Sequence, residues 1–179
     1  LNSFKIDAPF DVKLFNNHKN VGVATSFNNA LKEVTGDIVF LSDQDDVWYY
    51  NKIEKILLTA KQIPSSQLIM YDLEYCDKKL RPIGQRKLER LKSYAVPMKS
   101  YVTGMAMAIK KELLNYSLPM PSCYAHDSWL NQCALLTNTK YIINDVLASY
   151  RRHETNATSK QLLNYDNKTN YWYFFKNKL

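Results

Sequence analysis

The chain has 179 residues, 46% of them hydrophobic, and a formal net charge of +7, with a pI near 9.2. That is enough chain for one domain with a sizeable core, and the positive balance favours acidic partners such as nucleotides, nucleic acid, anionic lipid or phosphorylated sugars. No apolar run approaches the roughly 20 residues of a membrane-spanning helix, and Cys76, Cys123 and Cys133 form no C-x-x-C pair, which argues against a disulfide frame or a zinc site and for buried thiols in a reducing compartment.

The predicted elements alternate. DVKLFNN (11–17) reads as a strand, and TSFNNALKEV (25–34) as a helix stopped by Gly36. DIVFLS (37–42) is a continuous apolar run and reads as a buried strand. In 47–63, Val47, Ile53, Ile56, Leu57 and Ala60 recur at helical spacing. QLIMYDLEYC (67–76) is a strand, 86–95 a short helix or loop, 102–109 a strand, and KKELLNYS a short helix. Residues 126–137 form a helix with Asp127 as its natural N-cap. Residues 140–153 hold one or two strands, and the tail 158–179 is an aromatic, basic, amphipathic helix. Strands alternating with helices imply one α/β layered domain over 1–179 with a mostly parallel sheet.

Ligands of open α/β sheets gather beyond the carboxyl ends of strands. DIVFL delivers Asp43, Gln44, Asp45 and Asp46 to such an edge. Continued extension points Asp43 and Asp45 the same way, an arrangement that suits Mg²⁺ or Mn²⁺ with diphosphate oxygens completing the shell. The same acids can instead cap the helix that follows and complement its dipole. The two roles are compatible, with Asp45 on a metal and Asp46 as the cap. Gly22 precedes a helix start whose amides and N–H groups can cradle a phosphate or sugar, or it is an ordinary turn glycine. Asp127 is a general base or a cap. Arg151, Arg152 and His153 close a strand with phosphate-binding and metal-binding chemistry, or with a solvated basic end.

Taken together these stretches form a series: N-x-G before an asparagine-rich helix, then GDIVFLSDQDDVW with a lysine four residues on, then TGMAMAIKKEL, HDSW and YRRHxxN. The series, from about Asn16 to Asn156, resembles the family-2 glycosyltransferases of the GT-A fold, especially a bacterial rhamnosyltransferase-like branch. The resemblance implies a GT-A-type, Rossmann-like mixed sheet flanked by helices. It also implies that the chain begins just before the third strand of that fold, without the strands that bind the base and ribose. A sheet so shortened exposes an edge that invites pairing with a second copy.

The resemblance also implies roles. Asp45 and His153 would hold Mn²⁺ or Mg²⁺. Asp46, Trp48 and Lys52 would support the site. Asn20, Gly22, Asn28, Asp43, Gly104, Arg151 and Arg152 would meet the nucleotide-sugar donor, a dTDP- or UDP-sugar and by branch dTDP-rhamnose. Asp127 would deprotonate a hydroxyl of a saccharide or lipid-linked saccharide acceptor, near the metal but not on it. The implied place is the cytoplasm, at the inner face of the cell membrane, with peripheral membrane association and without nucleic acid. Two other readings use the same residues: a metal-dependent nuclease or nucleic-acid binder, and a non-catalytic fragment.

Overall fold

The computed structural model describes residues 2–152. Six helices, α1 (Asn2–Asp7), α2 (Val23–Lys32), α3 (Lys52–Gln62), α4 (Lys87–Ser93), α5 (Lys111–Ser117) and α6 (His126–Leu136), accompany five strands, β1 (Ile38–Phe40), β2 (Val47–Trp48), β3 (Leu68–Cys76), β4 (Met107–Lys110) and β5 (Lys140–Arg151). The strands form one sheet in the order β1-β4-β3-β5-β2. β3 is central and buried along nearly its whole length, as expected of a strand covered on both faces. Its neighbour β5 is parallel to it, with Leu68 opposite Lys140 and Cys76 opposite Arg151.

The sheet is mixed and flanked by helices, but it is not mostly parallel. The pairs β1–β4, β3–β4 and β2–β5 are antiparallel. Alternation of strand and helix does not reveal direction. Between β3 and β4 the chain spends α4 and two 3-10 turns, Met98–Ser100 and Gly104–Ala106, and re-enters the sheet from the end at which it left. The second of those turns also replaces the first half of the strand read at 102–109.

Other boundaries move for local reasons. Residues 11–17 form no strand, although Val12 and Leu14 are half-buried between exposed neighbours. The two-residue period is there, but none of the described pairings includes it. The helix read from Val47 starts at Lys52, because Val47 and Trp48 pair with Ser149 and Ala148 instead. α3 then buries Lys52, Ile56 and Ala60, one face at a spacing of four. Residues 140–151 are one long strand. The thiols are unpaired, and Cys123 is exposed while Cys76 and Cys133 are buried. The tail helix read at 158–179 lies outside the described residues.

The core gathers Leu68, Ile69, Met70 and Tyr71 of β3, Met107, Ala108 and Ile109 of β4, and Leu147 and Ala148 of β5, each at most 1% exposed. α3 contributes Ile56, α5 Leu113 and α6 Leu130, all fully buried. The leucine, isoleucine and methionine side chains among them each gain about 1.5–3 kcal/mol on burial. They fix the sheet rigidly, so that loops at its strand ends are held in place.

Candidate active site

The acidic loop leaves β1 still attached to the sheet, since Leu41 N donates to Met107 O at 3.2 Å. Asp43, Asp45 and Asp46 are all half-buried. Asp46 is not a helix cap. Its Oδ1 accepts the backbone N–H of Arg151 at 2.8 Å, and Asn51 occupies the N-cap position of α3 without a side-chain hydrogen bond. The reason is β2: two residues of strand after Asp46 hold it beside the end of β5 rather than at a helix start. Arg151 closes the clasp, its Nε donating to Asp45 O at 2.8 Å and its Nη1 to Lys78 O at 3.1 Å.

Below the loop, Trp48 packs on Phe40 with centroids 5.8 Å apart. Lys52 is fully buried, its Nζ 3.5 Å from the Trp48 ring centroid and 4.7 Å from that of Tyr71. Cation–π attraction replaces part of the lost hydration. The ammonium has no hydrogen-bond partner, and neither does Asp46 Oδ2. Burial pushes Lys52 down to about 7, partly countered by the Asp46 charge. Burial likewise pushes Asp46 up to about 6, with the Arg151 N–H opposing and Asp45 and Asp43 adding.

Asp127 sits in the first turn of α6, whose N-cap is Ala125. So Asp127 is not the N-cap either: among the described residues its Oδ1 accepts from Ser128, N at 2.7 Å and Oγ at 3.5 Å. The helix begins one residue before the expected cap, and the carboxylate is close enough to the acidic loop to act on Asp43. That proximity shows in Asp43, whose pKa is raised first by burial and then by Asp45 and Asp127, against the lowering effect of His126. Two acids 84 positions apart in sequence (127 − 43) therefore share one electrostatic neighbourhood.

Gly104 lies against this corner. A Cβ there would stand 2.9 Å from His126 Nε2 and 3.7 Å from Asp127 Cβ. His126 stacks on Phe27 of α2, centroids 3.9 Å apart and planes 10° apart. Its buried Nε2 has no hydrogen-bond partner, and burial lowers its pKa. His126 was not among the residues singled out for chemistry, although HDSW placed it beside Asp127. Phe27 gave no sequence signal beyond its apolar helix face.

Phe27 also lines a hollow of about 460 Å³ at the N-terminus of α2, with Asn17, Lys19, Asn20, Gly22 and Ser26. Gly22 is the N-cap, at φ 80°. Its N–H donates to Asn20 Oδ1 at 2.9 Å, so Asn20 shapes the turn. Asn28 is tied elsewhere: its Oδ1 accepts from Met120 N at 2.9 Å, joining α2 to the segment between α5 and α6. Arg152 lies over Tyr150, its Cζ 5.7 Å from that ring centroid. His153 lies outside the described residues.

Among the described residues no three His, Cys, Asp or Glu side chains converge on a point where a metal ion would sit. The donor set still fits Mg²⁺ or Mn²⁺. It offers hard carboxylate oxygens, one of them the buried, unpartnered Asp46 Oδ2, and such ions commonly take only one or two carboxylates plus substrate phosphates.

The model of glycosyl transferase family 2 matches residues 2–121, and the chain belongs to that family. Its fold is of the GT-A type. It superposes on a mannosyltransferase from Pyrobaculum calidifontis, solved with GDP-Man and Mn²⁺, at a TM-score of 0.66 and 17% identity, covering 89% of this chain and 45% of that one. It superposes on S. aureus TarS 1–349 with UDP-GlcNAc at 0.55 and 16% identity, covering 77% of this chain and 41% of that one. The chain thus spans under half the length of these structures. No curated protein matches it.

Proposed function

We propose that this chain carries the catalytic centre of a metal-dependent, inverting glycosyltransferase. The donor is a nucleotide sugar, dTDP- or UDP-linked and by branch dTDP-rhamnose. The acceptor is a hydroxyl of a saccharide or lipid-linked saccharide in bacterial surface polysaccharide synthesis. The observation that carries the reading is the meeting of the Asp43–Asp46 loop with His126 and Asp127 at one end of the sheet. Family membership and the nucleotide sugars bound by the two structural neighbours support it over a nuclease.

In this reading Asp45, with Asp46 behind it and His153 from beyond the described residues, holds Mn²⁺ or Mg²⁺. The bound ion supplies Lewis-acid neutralisation of the leaving diphosphate. Asp43, Asn20, Gly22 and the Arg151 clasp position the donor. Asp127 accepts the proton of the acceptor hydroxyl, whose oxygen attacks the anomeric carbon from the face opposite the leaving group. The C–O bond to the diphosphate breaks, and configuration inverts. Gly104 leaves room beside His126 and Asp127 for the reacting groups. No described helix is long and apolar enough to cross a membrane, and a lipid-linked acceptor would be met at the cytoplasmic membrane face.

The test uses the full-length protein and a panel of nucleotide sugars. Asp45→Ala is expected to abolish metal-dependent donor binding. Asp127→Asn is expected to keep donor binding and to slow transfer by about 10²–10⁴-fold, the span of general-base catalysis. Transfer at the normal rate by Asp127→Asn removes the base assignment.

A further inference from the structure

Beside the Arg151 clasp the structure gathers three cations around two tyrosine rings, with Asp72 as the acid nearest them. Arg152 N still bonds Cys76 O at 2.8 Å, continuing the β3–β5 ladder by one residue. Successive residues of an extended chain project to opposite faces, so Arg152 shares the face of Tyr150, its Cζ 5.7 Å from that ring centroid, while Arg151 bonds the acidic loop. There Tyr150 meets Tyr75 edge to face at 5.9 Å. Lys87 Nζ and Arg90 Cζ each stand 6.0 Å from the Tyr75 ring centroid, and Arg90 Cζ is also 5.8 Å from that of Tyr94.

Two buried donors in this cluster have no hydrogen-bond partner, the Tyr75 hydroxyl and one terminal nitrogen of Arg152, while Tyr75 itself is only 6% exposed. The acid within reach is Asp72, and its Oδ1 is taken by the N–H groups of Leu73 and Leu88 at 2.8 and 2.9 Å. Glu89, next in sequence, is exposed and turns to Arg86 N at 3.4 Å. Three like charges held around the Tyr75–Tyr150 pair of rings raise each other's energy. Consistent with that, Lys87 is pushed down to about 8 by burial and then by Arg90 and Arg152, against the opposing charge of Asp72. Guanidinium groups stacked on rings keep their N–H edges free for a bidentate oxyanion.

We propose that Lys87, Arg90 and Arg152, with the Tyr75 hydroxyl, form an anion site for a phosphate or diphosphate group carried by the acceptor. In the glycosyltransferase reading the donor's own diphosphate belongs to the acidic loop, to which Arg151 bonds and to which, among the described residues, no hydrogen bond or ion pair joins Lys87, Arg90 or the Arg152 side chain, so the second site serves a second phosphorylated molecule. Naming that molecule as the acceptor rests on the glycosyltransferase reading; the anion site itself does not.

Calorimetric titration of the full chain with inorganic pyrophosphate, in low salt and without divalent metal, tests the site independently of sugar transfer. Binding is expected in the wild type. Lys87→Met with Arg90→Gln should weaken it at least tenfold, Arg90→Lys should retain part of it, and Glu89→Gln should leave it unchanged. Equal melting temperatures of the double variant and the wild type would show that the fold is intact. Where the melting temperatures differ, Arg90→Gln alone decides, by weakening pyrophosphate binding or not. No binding by the wild type, or equal binding by the variants, overturns the site. A second arm uses phosphatidylglycerol and phosphatidylcholine vesicles. Pyrophosphate that displaces any vesicle binding upholds a phosphate-specific site. Vesicle binding lost with Lys87 and Arg90 but untouched by pyrophosphate assigns the cluster to a membrane surface and overturns the proposal.

Discussion

Gly104 and Gly22 are both glycines at the site, for opposite reasons. At Gly22 a Cβ would meet nothing within 4 Å, but φ is 80° and ψ 164°, so Gly22→Ala is expected to cost about 1–3 kcal/mol of backbone strain and to weaken donor binding through the turn rather than slow the transfer step. At Gly104 the obstacle is His126 Nε2, 2.9 Å from the added carbon. Gly104→Ala therefore displaces His126 from its stack on Phe27. The expected result is a small change in melting temperature with a fall in transfer rate of tenfold or more. Thermal melts and initial-rate kinetics on the two alanine variants check this, and equal kinetic damage in both would contradict it.

Lys52 and Asp46 make opposite pH signatures. The folded Lys52 sits at about 7 against 10.5 unfolded, so between those values the unfolded chain holds more protons and stability rises with pH. The folded Asp46 sits at about 6 against 3.8. The native state there holds more protons, so its stabilising contribution is complete below about pH 4 and gone above about pH 6. Chemical denaturation across pH 4–10 should show both slopes. Lys52→Met should flatten the alkaline one and Asp46→Asn the acidic one.

At the scale of elements, Asn28 shows how a motif residue can have a structural task. Its carbonyl oxygen joins α2 to the backbone of Met120. Asn28→Ala is expected to lower stability by about 1 kcal/mol, and Asn28→Asp, which keeps the acceptor, by less. Donor binding that fails in both variants at unchanged melting temperature would return Asn28 to the donor site. The elements themselves were legible to different depths. β3 was readable to one residue because it is buried on both faces and bounded by Ser66 and Asp77. α5 and α6 were readable from their apolar spacing. β2 was not, since two residues carry no period. Nor was the 3-10 turn at Gly104–Ala106, whose apolar sequence continues into β4 without a break. The acidic loop was legible as chemistry but its clasp was not: nothing in DQDD points to the backbone of Arg151, 105 residues away.

For the whole molecule, the order of motifs along the chain pointed to the family before any geometry did, and the family model agrees. Strand direction was beyond sequence reach, because the β3–β4 connection could have returned at either end of the sheet. Electrostatics at this scale are uneven around the net +7: Asp43, Asp45 and Asp46 collect in one loop, and Lys87, Arg90 and Arg152 gather around Tyr75 and Tyr150. Added salt, which screens exposed charges beyond about 10 Å at 0.1 M, should therefore weaken pyrophosphate binding more steeply than it weakens the fold. Titrations and melts at 20 and 200 mM salt compare the two.

The clasp at Arg151 also has a mechanical meaning. Arg151 is the last residue of the strand, and it grips the acidic loop by its own amide and its guanidinium together. The chain that follows leaves from that same point. A pull on that strand end would therefore divide between two holds, the Arg152 N–Cys76 O bond to the central strand and the Arg151 grip on the loop proposed to hold the metal, so that strain at the edge of the core and strain at the chemistry arrive together.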